Sequence, residues 1–335
     1  MMKRILVFLF IVISIIVLGE TYLRDPIDIP LEITGYFGEY RQYKSQDNPA
    51  HFHKGMDLST AGKTGAEVLS PADCYVASLI INDPVYGTRL TLVLPEVRDY
   101  FNNEDGIKLI FAHLESVGDL TTEGGRKLNA IYRKLLDEYN TGYVEARFHP
   151  GEIAFKMGDT VAYSGDTGGV APHLHMEVRD LSEEVLLNPG LYFDFPKKNT
   201  EIQIIALKAG GKEYGFNGET VEITPFSPLA VRARILVRHY ISPKKISLYI
   251  ENKLVYQIDF ENYFFINEVN RVNEVYTNST PSDYWFKLKD AEDLSVVTVD
   301  DWEAVDLSSP KNAKIVVEDH WGKSFEKTFT IVMRR

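Results

Sequence analysis

Five histidines fall in three short clusters between residues 51 and 175: His51 and His53, His113, and His173 and His175. Imidazoles ligate divalent transition metals and carry protons near neutral pH, so chemistry is sought here first. The first cluster runs on as His53-Lys54-Gly55-Met56-Asp57. Residues four apart face one side of a helix or a strand, so His53 and Asp57 can address a single metal ion. The glycine between them and the β-rich flanks favour an extended or looped setting. In Pro172-His173-Leu174-His175-Met176-Glu177-Val178, the two histidines project from one face of a strand and Leu174 and Met176 from the other. One imidazole of that pair, with His53 and Asp57, makes three ligands and leaves a coordination position open for water, the layout of a catalytic zinc site. His51-Phe52-His53 is also His-x-His, so ligation by His51 and His53 is an alternative geometry. His113 ends the strand-like run Leu109-Ile110-Phe111-Ala112, a setting that aims an imidazole into a cleft, although spacing alone does not join it to the other clusters.

Each cluster alone has an ordinary explanation, as a surface ion pair or a satisfied core histidine. Their joint occurrence, with the glycine-rich turn Ser164-Gly165-Asp166-Thr167-Gly168-Gly169 just before His173, favours a metal site. His149, in Phe148-His149-Pro150-Gly151, reads as a turn residue, and His239 and His320 as structural or solvated.

The elements that must hold these residues are mostly strands. Between residues 31 and 191, the runs 75–81, 88–94, 108–113, 160–164 and 173–178 are rich in β-branched and aromatic residues and are separated by Gly, Pro, Asn and Asp. Residues 124–139 break the pattern: Leu128, Ile131, Tyr132, Leu135 and Leu136 form the stripe of an amphipathic helix, inserted as a lid or a wall beside a cleft. Phe195-Pro196-Lys197-Lys198-Asn199-Thr200 is a polar connector. Beyond it, the runs 202–207, 221–224, 229–237, 245–250, 253–258, 314–317 and 327–333 have the spacing of a β sandwich, with Glu251-Asn252 as a hairpin turn.

Composition sets the frame for this reading. The 335 residues are 44% hydrophobic and 25% charged with a net charge of −12, which excludes a disordered polymer and a polytopic membrane protein and suggests two domains. An acidic chain is also a poor general binder of nucleic acid. The single cysteine, Cys74, excludes an intramolecular disulfide and reads as a small buried apolar residue. Met1-Met2-Lys3-Arg4 precedes the apolar run 5–18, which spans about 21 Å as a helix against a hydrocarbon core of ~30 Å. Residues 1–19 therefore read as a secretory signal, with Val17 and Gly19 at the cleavage positions, or as an uncleaved N-terminal anchor. Either way the remainder is exported, to the periplasm, the cell envelope or the medium, and meets a membrane only if the leader stays.

At these residues the chain resembles the lysostaphin-type (LytM-like) zinc metallopeptidases. Gly35-Tyr36-Phe37-Gly38-Glu39-Tyr40-Arg41 is similar to the family's opening segment and His53-Lys54-Gly55-Met56-Asp57 to its His-x-Gly-x-Asp motif. Ser70-Pro71-Ala72 and the run 74–77 are similar to its next strand. Phe111-Ala112-His113-Leu114 resembles the Tyr-Ala-His-Leu motif, and residues 165–177 resemble the Gly-x-Thr-Gly…His-Leu-His-x-Glu segment. The resemblance implies a mainly β protein: a duplicated-hybrid-motif domain over residues 30–192, built of antiparallel sheets with one inserted helix. Residues 200–335 resemble an immunoglobulin-like β sandwich, chiefly in the run 313–323. The family implies His53, Asp57 and His175 as ligands of one Zn2+ per chain and His113 and His173 as catalytic histidines, and it assigns no role to His51. The activity implied is metalloendopeptidase cleavage of peptidoglycan cross-bridges or stem peptides by a metal-activated water, with the two histidines moving protons and stabilising the oxyanion. The longer segment 116–150 departs from compact members of the family and keeps a rival in play, a non-catalytic envelope scaffold or regulator of other wall hydrolases. A third reading is a zinc peptidase that cleaves proteins. The C-terminal domain is the candidate for contact with an envelope protein partner, and Trp285, Trp302 and Trp321 mark either a binding surface or core packing.

Overall fold

A computed structural model describes residues 22–139, 142–289 and 293–334, so the leader expected over 1–19 lies outside the described residues. Up to residue 187 the strands are β1 (Ile33–Gly35), β2 (Tyr40–Arg41), β3 (His51–Phe52), β4 (Met56–Ser59), β5 (Glu67–Leu69), β6 (Cys74–Asp83), β7 (Gly87–Asp99), β8 (Glu104–Ala112), β9 (Leu114–Val117), β10 (Val144–Arg147), β11 (Ala154–Phe155), β12 (Thr160–Ser164), β13 (His173–Asp180) and β14 (Val185–Leu187). The chain is mainly β, in several antiparallel sheets. The largest runs in the order β1-β4-β13-β8-β7-β6-β10, with β11 beside β6 and β14 beside β13. A second sheet has the order β5-β12-β9, and β2 pairs with β3.

Apolar side chains recur at every second position of β6, β7 and β8, and Leu79, Ile81, Leu90, Leu92, Leu109 and Phe111 are all fully buried. Each contributes about 1.5–3 kcal/mol by leaving water. That core fixes the register of the central strands, because a slip by one residue would carry these six side chains to the opposite face. In that register β13 lies between β4 and β8, with Asp57 opposite His175 on one side and Ala112 opposite His175 on the other.

The helix, α1, spans Glu123–Glu138 and is capped by Thr122, whose hydroxyl accepts from the Gly125 amide at 3.0 Å. Its role differs from the expected lid or wall. Leu128 and Tyr132 are buried, and the Tyr132 hydroxyl donates to the Glu115 carbonyl at 2.9 Å, so the apolar stripe is spent on the flank formed by β6, β9 and β11, away from any cleft.

After residue 200 a five-stranded sheet contains Glu201–Ala209 and Leu229–Leu236, and a six-stranded sheet contains Lys245–Ile250, Lys253–Asp259, Lys311–Glu318 and Ser324–Met333. Glu251 and Asn252 both take positive φ, 47° and 65°, the backbone of a tight type I′ hairpin turn. Trp285 is buried in a small cluster with Ala206 and Ala230, and half-buried Trp302 packs on the main core and donates its indole N–H to the Leu288 carbonyl. One strand of this half crosses the boundary. Asn262–Phe264 pairs with β14 and becomes the tenth strand of the large sheet.

Candidate metal centre

Asp57 is carried by β4 and His175 by β13, and their cross-strand pairing places both side chains on one face. His53 precedes β4 on a turn whose tightness rests on Gly55. A Cβ there would lie 2.1 Å from the Met176 carbonyl oxygen, so only glycine lets this turn press against β13. The result is convergence: Asp57 Oδ1 lies 2.8 Å from His175 Nδ1 and 3.1 Å from His53 Nε2, and the two nitrogens are 3.2 Å apart. Two ligand atoms about 2.0–2.1 Å from a tetrahedral zinc ion stand about 3.3 Å apart, so the three atoms have the spacing of ligands around one small cation.

The outer partners bear on the proton positions. His53 Nδ1 stands 2.9 Å from both the Tyr36 carbonyl, which only accepts, and Arg41 Nη2, which only donates; metal ligation through Nε2 requires the tautomer with the hydrogen on Nδ1, bonded to Tyr36. His175 Nε2 donates to Glu177 Oε1 at 3.1 Å, which leaves Nδ1 for the centre in the same way. Asp57 Oδ2 accepts from Arg41 Nη2 at 2.8 Å. Behind His175, Tyr86 and Arg179 both donate to the Glu177 carboxylate.

Burial and the Arg41 charge push His53 down to about 3 and keep it neutral. Asp57, although buried, is held well below the usual carboxylate range by His53 and Arg41 and by hydrogen bonds from His173 and His175. Burial opposes a charge on His175, but its bonds to Asp57 and Glu177 outweigh this and raise it above its ordinary 6.5. The direction of these two shifts favours a proton on His175 bonded to Asp57, which a bound cation would have to displace. Affinity for Zn2+ is expected to be flat above the raised pKa of His175 and to fall about tenfold per pH unit below it. Chelator-competition titrations between about pH 5.5 and 8.5 check this, and a pH-independent affinity would contradict it.

His113 and His173 stand beside this set. His113 follows the last residue of β8 with φ of 61°, a left-handed conformation unusual for a non-glycine residue, and its N–H donates to the Tyr86 carbonyl at 2.9 Å. That turn brings its ring within 4.7 Å of the His173 ring. His113 Nδ1 is bonded to the Thr167 carbonyl and His173 Nδ1 to the Ala171 carbonyl, so both rings keep Nε2 for the cleft. His173 Nε2 is 3.4 Å from Asp57 Oδ1. Burial and the neighbouring His175 and His173 push His113 down to about 3.

Among the described residues two groups can hold a metal: His53, Asp57 and His175, and His113, His173 and His175, each with ligand atoms within 4.8 Å of one another. His51 lines the cleft but belongs to neither, its Nδ1 being bonded to the Pro49 carbonyl. His149 and His239 are exposed, and His320 donates to the Ser242 carbonyl beside the Tyr36 ring.

The five residues open into a cleft of 510 Å³ lined by residues from 39–57, 85–113, 169–175 and 281–284. None of these ranges falls in 116–150. One wall comes instead from Pro281 and Tyr284 of the C-terminal half, which no sequence pattern foretold. Three partners of the centre were also not assigned: Arg41, Tyr86 and Glu177. For Glu177 there was a signal, since His173, His175, Glu177 and Arg179 occupy alternate positions of one strand and share a face, while Leu174, Met176 and Val178 fill the core.

No family model matches the chain, and no curated protein matches it. Among solved structures, the two tandem V-type regions of VCBP3, a v-region-containing chitin binding protein, are similar over 90% of this chain and 98% of theirs, at 8% identity and a TM-score of 0.20. At that score the likeness says nothing about fold or function.

Proposed function

We propose that the chain is an exported zinc metalloendopeptidase that hydrolyses peptide bonds in peptidoglycan, built as a lysostaphin-type duplicated-hybrid-motif domain followed by an immunoglobulin-like sandwich. The observation that carries this reading is the convergence of His53 Nε2, Asp57 Oδ1 and His175 Nδ1 within 3.2 Å, with the far nitrogen of each histidine occupied by an acceptor. A bound zinc ion would supply the Lewis acidity that acidifies water toward a pKa of ~7 and polarises a carbonyl. The chain supplies the rest. His113 presents an Nε2 able to accept a proton, His173 stands beside it with Nε2 3.4 Å from Asp57 Oδ1, and as imidazolium ions such rings can donate a proton to a leaving amine. Both can also donate hydrogen bonds to an oxyanion formed between them and the ligand set. Arg41 holds Asp57 as a carboxylate throughout, and Tyr36 and Glu177 keep His53 and His175 from turning.

Occlusion of the groove by residues 116–150 was the feature favouring a non-catalytic scaffold, and the helix packs elsewhere. Purified sacculi incubated with the zinc-loaded full chain are expected to release soluble fragments carrying new amine and carboxyl ends, whose masses identify the bond. Intact sacculi after exhaustive incubation would sink the reading, and preferential cleavage of casein would replace the wall with protein as substrate.

A further inference from the structure

His53 is the one ligand that no long strand carries, and what holds it comes largely from the other half of the chain. Its carbonyl accepts from the Gly38 amide at 2.9 Å and its own N–H donates to the Glu39 carbonyl at 2.8 Å, so segments 36–39 and 52–53 are stitched to each other. The C-terminal half closes over this stitch at four points. The Tyr263 hydroxyl donates to the His53 carbonyl at 2.8 Å, and the Tyr276 hydroxyl donates to the Gly38 carbonyl at 2.8 Å. The Phe52 N–H donates to the Val269 carbonyl at 2.9 Å. Phe260 lies flat against Gly38, so close that a Cβ there would stand 2.4 Å from the ring; Gly38 also has a φ of +77°, which glycine alone adopts at little cost.

These contacts are dry. Tyr263, Phe260, Phe37 and Phe52 are fully buried, Tyr276 nearly so, and Tyr263 stacks on Phe37 at 4.9 Å and lies against Phe52 at 5.3 Å. Water therefore cannot replace a lost hydroxyl partner without opening the seam. The same stitch holds the Tyr36 carbonyl against His53 Nδ1, so the seam sets the position of His53 and the orientation of its ring.

We propose that Tyr263 and Tyr276 are positioning residues of the metal centre, through which the C-terminal half sets the affinity for the ion. The proposal rests on the metal-site reading above. It assigns the C-terminal half a part in the site itself, in addition to any contact it makes with a partner.

The test uses the full chain and three substitutions, Tyr263→Phe, Tyr276→Phe and, as a control, Tyr249→Phe on the six-stranded sheet. Each keeps its ring and loses only a hydroxyl. Zinc affinity is read by chelator competition, the geometry of the site by the absorption spectrum of the cobalt-substituted chain, and the integrity of the fold by thermal unfolding of the metal-free chain. Tyr263→Phe and Tyr276→Phe are each expected to weaken zinc binding about tenfold, the lower end for outer partners of a metal site, and to change the cobalt spectrum. Tyr249→Phe should match the unsubstituted chain in every readout. Equal affinity and equal spectra across all the chains would overturn the inference while leaving the metal site intact. An equal loss of affinity in Tyr249→Phe would overturn it too, by tracing the effect to general stability. Failure of the unsubstituted chain to bind any divalent metal would overturn both readings together.

Discussion

His175→Ala is expected to lose both bound metal and peptide hydrolysis, whereas His113→Ala and His173→Ala keep the metal and lose turnover. The difference follows from where each ring nitrogen points. His175 Nδ1 belongs to the set whose atoms stand at ligand spacing, and Glu177, behind its ring and bonded to Arg179 and Tyr86, is on the far side from the centre. Removing a ligand should cost more than the roughly 10–100-fold in affinity that loss of an outer partner costs. His113 and His173 instead offer proton transfer, worth about 10²–10⁴ in rate. Zinc content after dialysis, measured beside the release of fragments from sacculi, separates the two effects. The comparison also decides between the two metal-holding groups. If the ion sat among His113, His173 and His175, all three alanine variants would lose it and Asp57→Asn would keep it, which contradicts the assignment made above.

Arg179→Met is expected to destabilise the metal-free chain by about 3–5 kcal/mol, the range for removing one partner of a buried ion pair. Arg179 and Glu177 are both essentially inaccessible. The guanidinium donates Nε and Nη2 to Glu177 Oε2 and lies over the Phe265 ring with its central carbon 4.2 Å from the centroid. Although burial disfavours the Glu177 charge, Arg179 and His175 hold its carboxyl well below its ordinary 4.5. A carboxyl depressed in the folded state stabilises the fold above its unfolded pKa and loses that contribution as pH falls. Without Arg179 the depression goes, so the deficit of the variant should be full at neutral pH and shrink only as pH falls below the unfolded carboxyl's pKa of about 4.5. Denaturant titrations at several pH values measure it, and the second substitution Glu177→Gln should recover part of the loss, since the remaining charge is then removed. A deficit below about 1 kcal/mol at neutral pH would mean that the pair contributes little.

Much of the centre was legible because strand alternation is a strong local signal. The period-two pattern of β13 places His173 and His175 on one face, and the same pattern runs on to Glu177 and Arg179. Where the reading stopped short, the chain had punctuation that the fold overrides. The run 88–94 reads as a strand that ends before Pro95, yet β7 continues to Asp99 through a register shift, where the missing proline N–H is tolerated. His113 was read as the end of its strand. Its left-handed backbone depends on the tertiary bond to Tyr86, which no local pattern encodes. The stripe of α1 told that one face is buried without telling against what. The seam was invisible for a related reason: Asn262–Phe264 has three residues and no period, and its partner β14 is seventy-five residues upstream in the chain.

That short strand also bears on self-association of the chain. Val185, Leu186 and Leu187 form an apolar strand whose outer edge would carry unpaired amides and carbonyls if Asn262–Phe264 were not laid against it. Bare, it would be a template for pairing between molecules. A product cut at the connector would therefore be a sticky fragment, and the C-terminal half acts in this respect as a built-in guard against self-association.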